Sequence, residues 1–290
     1  MIPAEILRKV RRIEIQTAAL VDDVFAGQYH SAFRGRGIEF EEVREYQPGD
    51  DVRLLDWNVT ARTGRPFVKS YREERELTVL LAVDISASQD FGARVQFKRE
   101  LAAELAATLA FAAIRNNDKV GLLLFSDRVE RFVPARKGPR HVLRVVRELL
   151  YHAPAGHGTD VGSALEYADR VLKRRAAVFL VSDFQCPDFS RPLRLIRHRH
   201  DLIPVLISDA REHDLPNVGL IELHDPETGG QVTIATGPRF RRRFAAASTA
   251  RHAGLLSLFR RHRVDVVDVR TGESFVEPLR RFFRARGQRR

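Results

Sequence analysis

Leu77–Asp84 reads LTVLLAVD and runs directly into Ile85-Ser86-Ala87-Ser88. A continuous apolar run that ends in an acid reads as a central strand of a parallel sheet, because both faces of such a strand are covered. Outward from it the pattern repeats. Lys119–Phe125 (KVGLLLF), Ala176–Ser182 (AAVFLVS) and Asp201–Ser208 (DLIPVLIS) are runs of the same kind, and Val129–Val133 is a shorter strand. Between them, Val95–Asn116, Pro139–Tyr151, Gly162–Arg174 and Pro192–His200 read as helices. Strands and helices alternating at these lengths predict an α/β fold, with a mostly parallel sheet flanked by helices.

The flanks read differently. Ile6, Val10, Ile13, Leu20 and Val21 recur at roughly helical spacing and predict a helix over 4–25. Gly27–Arg65 is punctuated by glycines and Pro48, which predicts loops and short strands. After Ser208, Val218–Leu223 and Gln231–Ala235 flank DPETGG, a hairpin signal. Arg239–His262 is then a helix, Val264–Val269 a last strand and Ser274–Arg286 a last helix. The expected organisation is an N-terminal helix and small β-rich extension over 1–75, then an α/β domain over 76–290 with a hairpin insertion near 215–238.

The 290 residues carry a net charge of +11, and of 49 basic residues only six are Lys. Such an Arg bias is read as codon composition before it is read as an anionic partner, because charge speaks to association and not to fold. The single cysteine, Cys186, rules out a disulfide framework and fits a reducing compartment. The first residues lack the uninterrupted apolar stretch of a signal peptide. No run of about 18 apolar residues occurs, so no helical membrane span is expected and a cytoplasmic protein is.

The chemistry gathers at strand ends. Asp84, Ser86 and Ser88 follow one buried strand, and in an extended segment i, i+2 and i+4 face the same way. Thr159 stands in Gly158-Thr159-Asp160 before a helix, and Asp183 follows the strand AAVFLVS. Ligands of open parallel sheets bind beyond the carboxyl ends of the strands. Two carboxylates and three hydroxyls form an all-oxygen set. That set suits a small hard cation, Mg²⁺ before Mn²⁺ or Ca²⁺. Each position has a plainer reading beside this one. Asp and Ser are common helix caps, Thr159 or Asp160 caps the next helix as readily, and Asp183 reads as an ordinary loop acid.

Taken together, DISAS, Thr159 in GTDVGSAL and Asp183 in VFLVSDF resemble the metal-ion-dependent adhesion site of von Willebrand factor A domains. Arg44–Arg62 (REYQPGDDVRLLDWNVTAR) resembles the hallmark of the bacterial domain-of-unknown-function 58 family, whose members often accompany MoxR-type AAA+ ATPases. The resemblance implies a von Willebrand factor A-like domain that binds a protein partner through a metal. By it, Ser86 and Ser88 would ligate directly, Thr159 directly or through water, and Asp84 and Asp183 through metal-bound waters or directly. A partner carboxylate would complete the shell. The implied role is an adaptor or co-chaperone for a MoxR-type ATPase, without catalysis. Many relatives carry N-terminal membrane helices, which this chain is not expected to have.

Two alternatives are kept. A strand-end Asp beside Mg²⁺ also begins aspartyl-phosphate phosphohydrolases, but those place a second acid two residues on, where this chain has Ser86. Arg clusters such as FRRRF (240–244) and the tail RARGQRR would serve nucleic acid, but no aromatic-interleaved basic motif accompanies them, so nucleic acid is not the expected partner. Asp50 and Asp51 read as turn acids, and Asp56 beside Trp57 as a docking pair with a buried hydrogen bond. His198 and His200 read as a solvated helix face, and Cys186 has no base to make it a nucleophile.

Overall fold

In the computed structural model the described residues are 29, 32, 38–73, 76–91, 96–225, 227 and 229–289. The helix expected over 4–25 lies outside them. The chain divides into two compact units, Phe33–Leu77 and a larger one that holds Thr78–Arg290 together with Tyr29 and Ala32.

In the smaller unit, β1 (Ile38–Glu45) pairs antiparallel with β2 (Phe67–Glu73). Between them lie a 3-10 turn, Val52–Leu54, and helix α1, Trp57–Thr63. Acids start both. Asp51 accepts from the Arg53 N–H, and Asp56 from the N–H groups of Asn58 and Val59. These bonds satisfy donors that a helix start leaves free. Asp50 takes both guanidinium nitrogens of Arg44, at 2.9 and 2.6 Å, and the Gln47 N–H. Asp50 and Asp51 are thus turn and cap acids. Trp57 is 70% exposed, and Asp56 is spent on the helix N-terminus.

The larger unit is built on a six-stranded sheet. Its strands are β3 (Thr78–Asp84), β4 (Lys119–Phe125), β5 (Val129–Arg136), β6 (Ala177–Ser182), β7 (Asp201–Ser208) and β10 (Val267–Arg270), in the order β10-β7-β6-β3-β4-β5. All neighbours run parallel except β4 and β5. This is the expected α/β class with a mostly parallel sheet. After their first residue, β3, β4 and β7 are buried throughout, and β6 is buried along its whole length.

Helices cover both faces. On one, Leu80, Ala82, Leu123, Val178 and Leu180 pack against α4 (Val161–Val171), α5 (Ser190–Arg199) and Phe259 of α7 (Pro238–Arg261). Alternate strand residues point the other way. There α2 (Lys98–Arg115) touches β3, β4, β6 and β7, and packs on α3 (Pro139–Tyr151). The helix α6 (Ala210–His213), the hairpin β8 (Leu220–His224) and β9 (Gln231–Ala235), and the last helix α8 (Val276–Gln288) complete the unit. The buried Tyr29 meets Phe283 of α8 edge-on and donates to Asp118 at 3.0 Å. His200 departs from expectation. It is buried, 3.5 Å from Asp169, and burial lowers its pKa, while His198 remains exposed.

The strand order sets the site. The connection leaving β3 goes to β4 on one side, and the connection leaving β6 goes to β7 on the other. Chains that diverge from adjacent parallel strands open a crevice at their carboxyl ends. Asp84 and Asp183 stand at the lips of this one.

Gly121 lets β5 lie close to β4. A Cβ there would fall 3.1 Å from both the Ala135 nitrogen and the Val133 carbonyl oxygen. Gly121→Val is expected to cost about 1–3 kcal/mol through overpacking against backbone that cannot rotate away. The urea midpoint reads this, and an unchanged midpoint would mean that β5 yields freely.

Candidate metal centre

Asp84 is the last residue of β3 and is 1% exposed. A carboxylate there needs partners. The Ser182 hydroxyl donates to its Oδ2 at 2.6 Å, and the Ser86 N–H to its Oδ1 at 2.9 Å. Burial pushes its pKa up to about 7, with the nearby Asp183 charge adding to the rise and the serine bonds opposing it.

Beyond Asp84 the chain turns. Ala87–Asp90 is a 3-10 turn, so Ser88 is not on an extended segment as its spacing suggested. The turn brings the hydroxyls together instead: Ser86 Oγ and Ser88 Oγ stand 3.1 Å apart. Ser86 occupies the cap position of the turn yet makes no side-chain cap bond. The capping reading of this serine is therefore set aside.

Thr159 arrives on the loop before α4. The Ala87 N–H bonds the His157 carbonyl at 3.0 Å, and the Asp160 N–H bonds the Ser126 carbonyl at 2.8 Å. Glu130 holds the same loop by accepting from the N–H groups of Ala155 and Gly156 at 3.0 and 2.7 Å. Asp160 is the helix cap, bonded to the Ser163 N–H. Thr159 is left to face the site, where its hydroxyl donates to Glu227 at 3.0 Å.

Asp183 follows β6 and is 6% exposed. Its Oδ1 accepts the Gln185 N–H, and its Oδ2 takes the ammonium of Lys98 at 2.5 Å. The same ammonium reaches Glu212 of α6 at 2.6 Å. Burial alone would lower the Lys98 pKa, but Asp183 and Glu212 together raise it. Hydrogen bonds join Asp84, Ser86 and Ser88, Glu227 accepts from Thr159 and feels the Ser88 hydroxyl, and the charge of Asp183 acts on Asp84. The structure thus gathers all five expected residues.

Sequence reasoning missed four participants: Ser182, Lys98, Glu212 and Glu227. Ser182 stands one position before Asp183, and only the register of β6 against β3 shows that it serves Asp84. The others come from α2, α6 and the hairpin tip, and nothing local marks them.

The donors suit a small hard cation. Among the described residues no group of three or more His, Cys, Asp or Glu side chains gathers as a metal cluster. A cation here would draw on the hydroxyls of Ser86, Ser88 and Thr159, with Asp84 and Asp183 behind them. Lys98 offsets the charge of Asp183 and Glu212 and is bonded to neither Asp84 nor Glu227. That balance leaves negative charge for a divalent ion to neutralise.

A family model described as "Protein of unknown function DUF58" matches residues 42–254. An uncharacterized protein of Mycobacterium tuberculosis (strain ATCC 25618 / H37Rv) is 35% identical over 280 residues, spanning 96% of this chain and 88% of its own length. A Paracoccus denitrificans protein described as lying in the moxR 3' region is 33% identical over 99 residues, 33% of this chain and 94% of that one. Among solved structures, an aerotolerance-related membrane protein from Bacteroides fragilis matches with a TM-score of 0.48 and 15% identity, over 74% of this chain and 100% of that one. The SpRpn10 VWA domain matches with a TM-score of 0.39 and 9% identity, over 70% and 94%. The expected cytoplasmic location is corrected here, because proteins matched in structure include ones described as membrane proteins. No helix among the described residues is long and apolar enough to cross a membrane.

Two outcomes follow from this geometry. Replacing Lys98 by Met leaves Asp183 and Glu212 without their buried cation, which is expected to cost about 3–5 kcal/mol. A urea-unfolding loss under about 1 kcal/mol would show that water replaces the ammonium. The Cys186 thiol is pushed up to about 12, first by burial and then by the charges of Asp84, Asp183 and Asp160. Thiolate-directed alkylation at about pH 8 should be roughly tenfold slower or more in the folded chain than in the unfolded one. Equal rates would refute this.

Proposed function

We propose that this chain, which belongs to the DUF58 family, is a metal-dependent protein-binding module that works with a MoxR-type AAA+ ATPase. The observation that carries the reading is the Ser86 hydroxyl, which caps nothing, 3.1 Å from the Ser88 hydroxyl and next to a buried Asp84. A serine hydroxyl that starts a turn without capping it is free to give a lone pair to a cation. Mg²⁺, when bound, would supply attraction for a carboxylate oxygen from a partner protein.

The chain's own residues do the remaining work. Ser182 and the Ser86 N–H hold Asp84 in one orientation. Lys98 fixes Asp183, which favours a water-mediated role for that acid over direct ligation. The bonds from Ala87 and Asp160 fix the Thr159 loop to the DISAS turn. Positioning of this kind is what a binding site needs for a preformed shell.

The ATPase is suggested by the Paracoccus relative described by its place 3' of moxR. An adaptor or co-chaperone role would join such an ATPase to a client that offers an acidic side chain.

The test is capture of a purified MoxR-type ATPase by the immobilised full chain, with Mg²⁺ and with chelator. Wild type should retain the ATPase in Mg²⁺, and Ser86→Ala and Asp84→Ala should lose roughly tenfold or more. Chelator should do the same to wild type. Equal capture across proteins and conditions would sink the reading.

A further inference from the structure

The hairpin tip reaches the centre of the site. Between β8 and β9 the Glu227 N–H bonds Asp225 Oδ1 at 2.9 Å, and the Asp225 N–H bonds the Gly230 carbonyl at 2.8 Å. These bonds aim one carboxylate inward. Glu227 Oε1 accepts the Thr159 hydroxyl at 3.0 Å, and burial raises the pKa of the same carboxyl while the nearby Ser88 hydroxyl lowers it. The other oxygen, Oε2, lies over Gly158, 3.8 Å from where a Cβ would stand. The acid is in place although 68 residues separate it from Thr159.

The direction of these bonds matters. A hydroxyl has one proton and two lone pairs. Thr159 spends its proton on Glu227, which leaves its lone pairs for a cation. In an octahedral shell with oxygens about 2.1 Å from Mg²⁺, neighbouring ligand oxygens are about 3.0 Å apart. The separation from Thr159 Oγ1 to Glu227 Oε1 is 3.0 Å, and that from Ser86 Oγ to Ser88 Oγ is 3.1 Å. A hydrogen-bonded pair and two neighbours of one ion share this spacing, so a cation could enter with little rearrangement of these oxygens.

The hairpin has little other anchorage. Leu220 of β8 and Val232 of β9 are 74% and 54% exposed, as is Val218 before them at 56%. Its inner side borders a groove that continues from the site along Lys98, Glu212, Arg211, Phe244 and Arg251. Removing the tip would therefore open the site and this groove together.

We propose that Glu227 is the chain's own carboxylate ligand for the cation site, seated where the acidic side chain of a partner protein would bind. The inference rests on the metal-binding reading above. A partner carboxylate must displace Glu227, so the β8–β9 hairpin acts as a built-in competitor that selects for partners able to outbind it. Its local concentration is set by the fold, and a weak acidic ligand cannot overcome it.

The experiment uses Mn²⁺ alone with the full chain, read by water-proton relaxation, which reports both affinity and the number of exchangeable waters on the ion. Wild type should bind Mn²⁺ with few such waters. Glu227→Gln should bind several-fold more weakly and show a higher relaxation enhancement per bound ion. Acetate should then reduce that enhancement in Glu227→Gln and leave wild type nearly unchanged. If Glu227→Gln matches wild type in both quantities while Ser86→Ala loses Mn²⁺, the proposal fails and the cation site stands. Weaker binding with an unchanged water count would make Glu227 a positioning residue and also overturn it. If wild type binds no Mn²⁺, the cation reading and the proposal fall together. Glu227→Gln keeps the size of the side chain at a partly exposed turn, and circular dichroism of the variant checks that the fold is intact.

Discussion

Lys98 holds Asp183 and Glu212 from inside the protein, and an ammonium that is 1% exposed tolerates neither partner's loss. One charge thereby ties the first turn of α2, the loop after β6 and the start of α6 to a single point. Burying an ion costs several kcal/mol, and only close opposite charge offsets that cost. The arrangement is kept although an apolar contact would be cheaper. The reason lies in what stands next to it. Sheet register sets Ser182 beside Asp84 with Asp183 one residue further on, and two buried carboxylates repel. Lys98 relieves Asp183, while the Ser182 hydroxyl and the Ser86 N–H satisfy Asp84.

The rest of the site is built by backbone. Ser86 and Ser88 converge because a 3-10 turn follows β3, and Thr159 joins them because its loop is bonded to that turn and to the end of β4. Glu130, on β5, closes the same loop from behind with two N–H bonds. Ser86, Ser88 and Thr159 are thus held by groups outside their own side chains, which is the usual condition for a cluster of donors to hold its shape.

Much of this was legible in the sequence. Lys119–Phe125, Pro139–Tyr151, Asp201–Ser208 and Gln231–Ala235 coincide with observed elements, since buried strands and amphipathic helices write their periods into the chain. Asp84, Ser86, Ser88, Thr159 and Asp183 were legible as a group because parallel-sheet loops share one edge. The mechanism of their convergence was not: alternation along a strand suggested it, and a turn achieves it. Lys98 reads in sequence as one more charge at a helix start, and Glu227 as one more turn residue. Both matter only through contacts made far along the chain, at separations of 85 and 68 residues. His200 shows the opposite error, since a basic neighbourhood hid a buried ring.

The pairing of β3 with β6 has a kinetic side. Ser182 meets Asp84 across 98 residues, whereas β3, β4 and β5 follow one another along the chain. Closing a long loop is entropically expensive and is repaid only when the strand docks, so local pairings precede it. The hydroxyl that orients Asp84 is therefore absent until the two halves of the sheet have joined. A nascent chain lacks the Ser182 bond to Asp84 before β6 is made, so this corner of the sheet edge is completed late in folding.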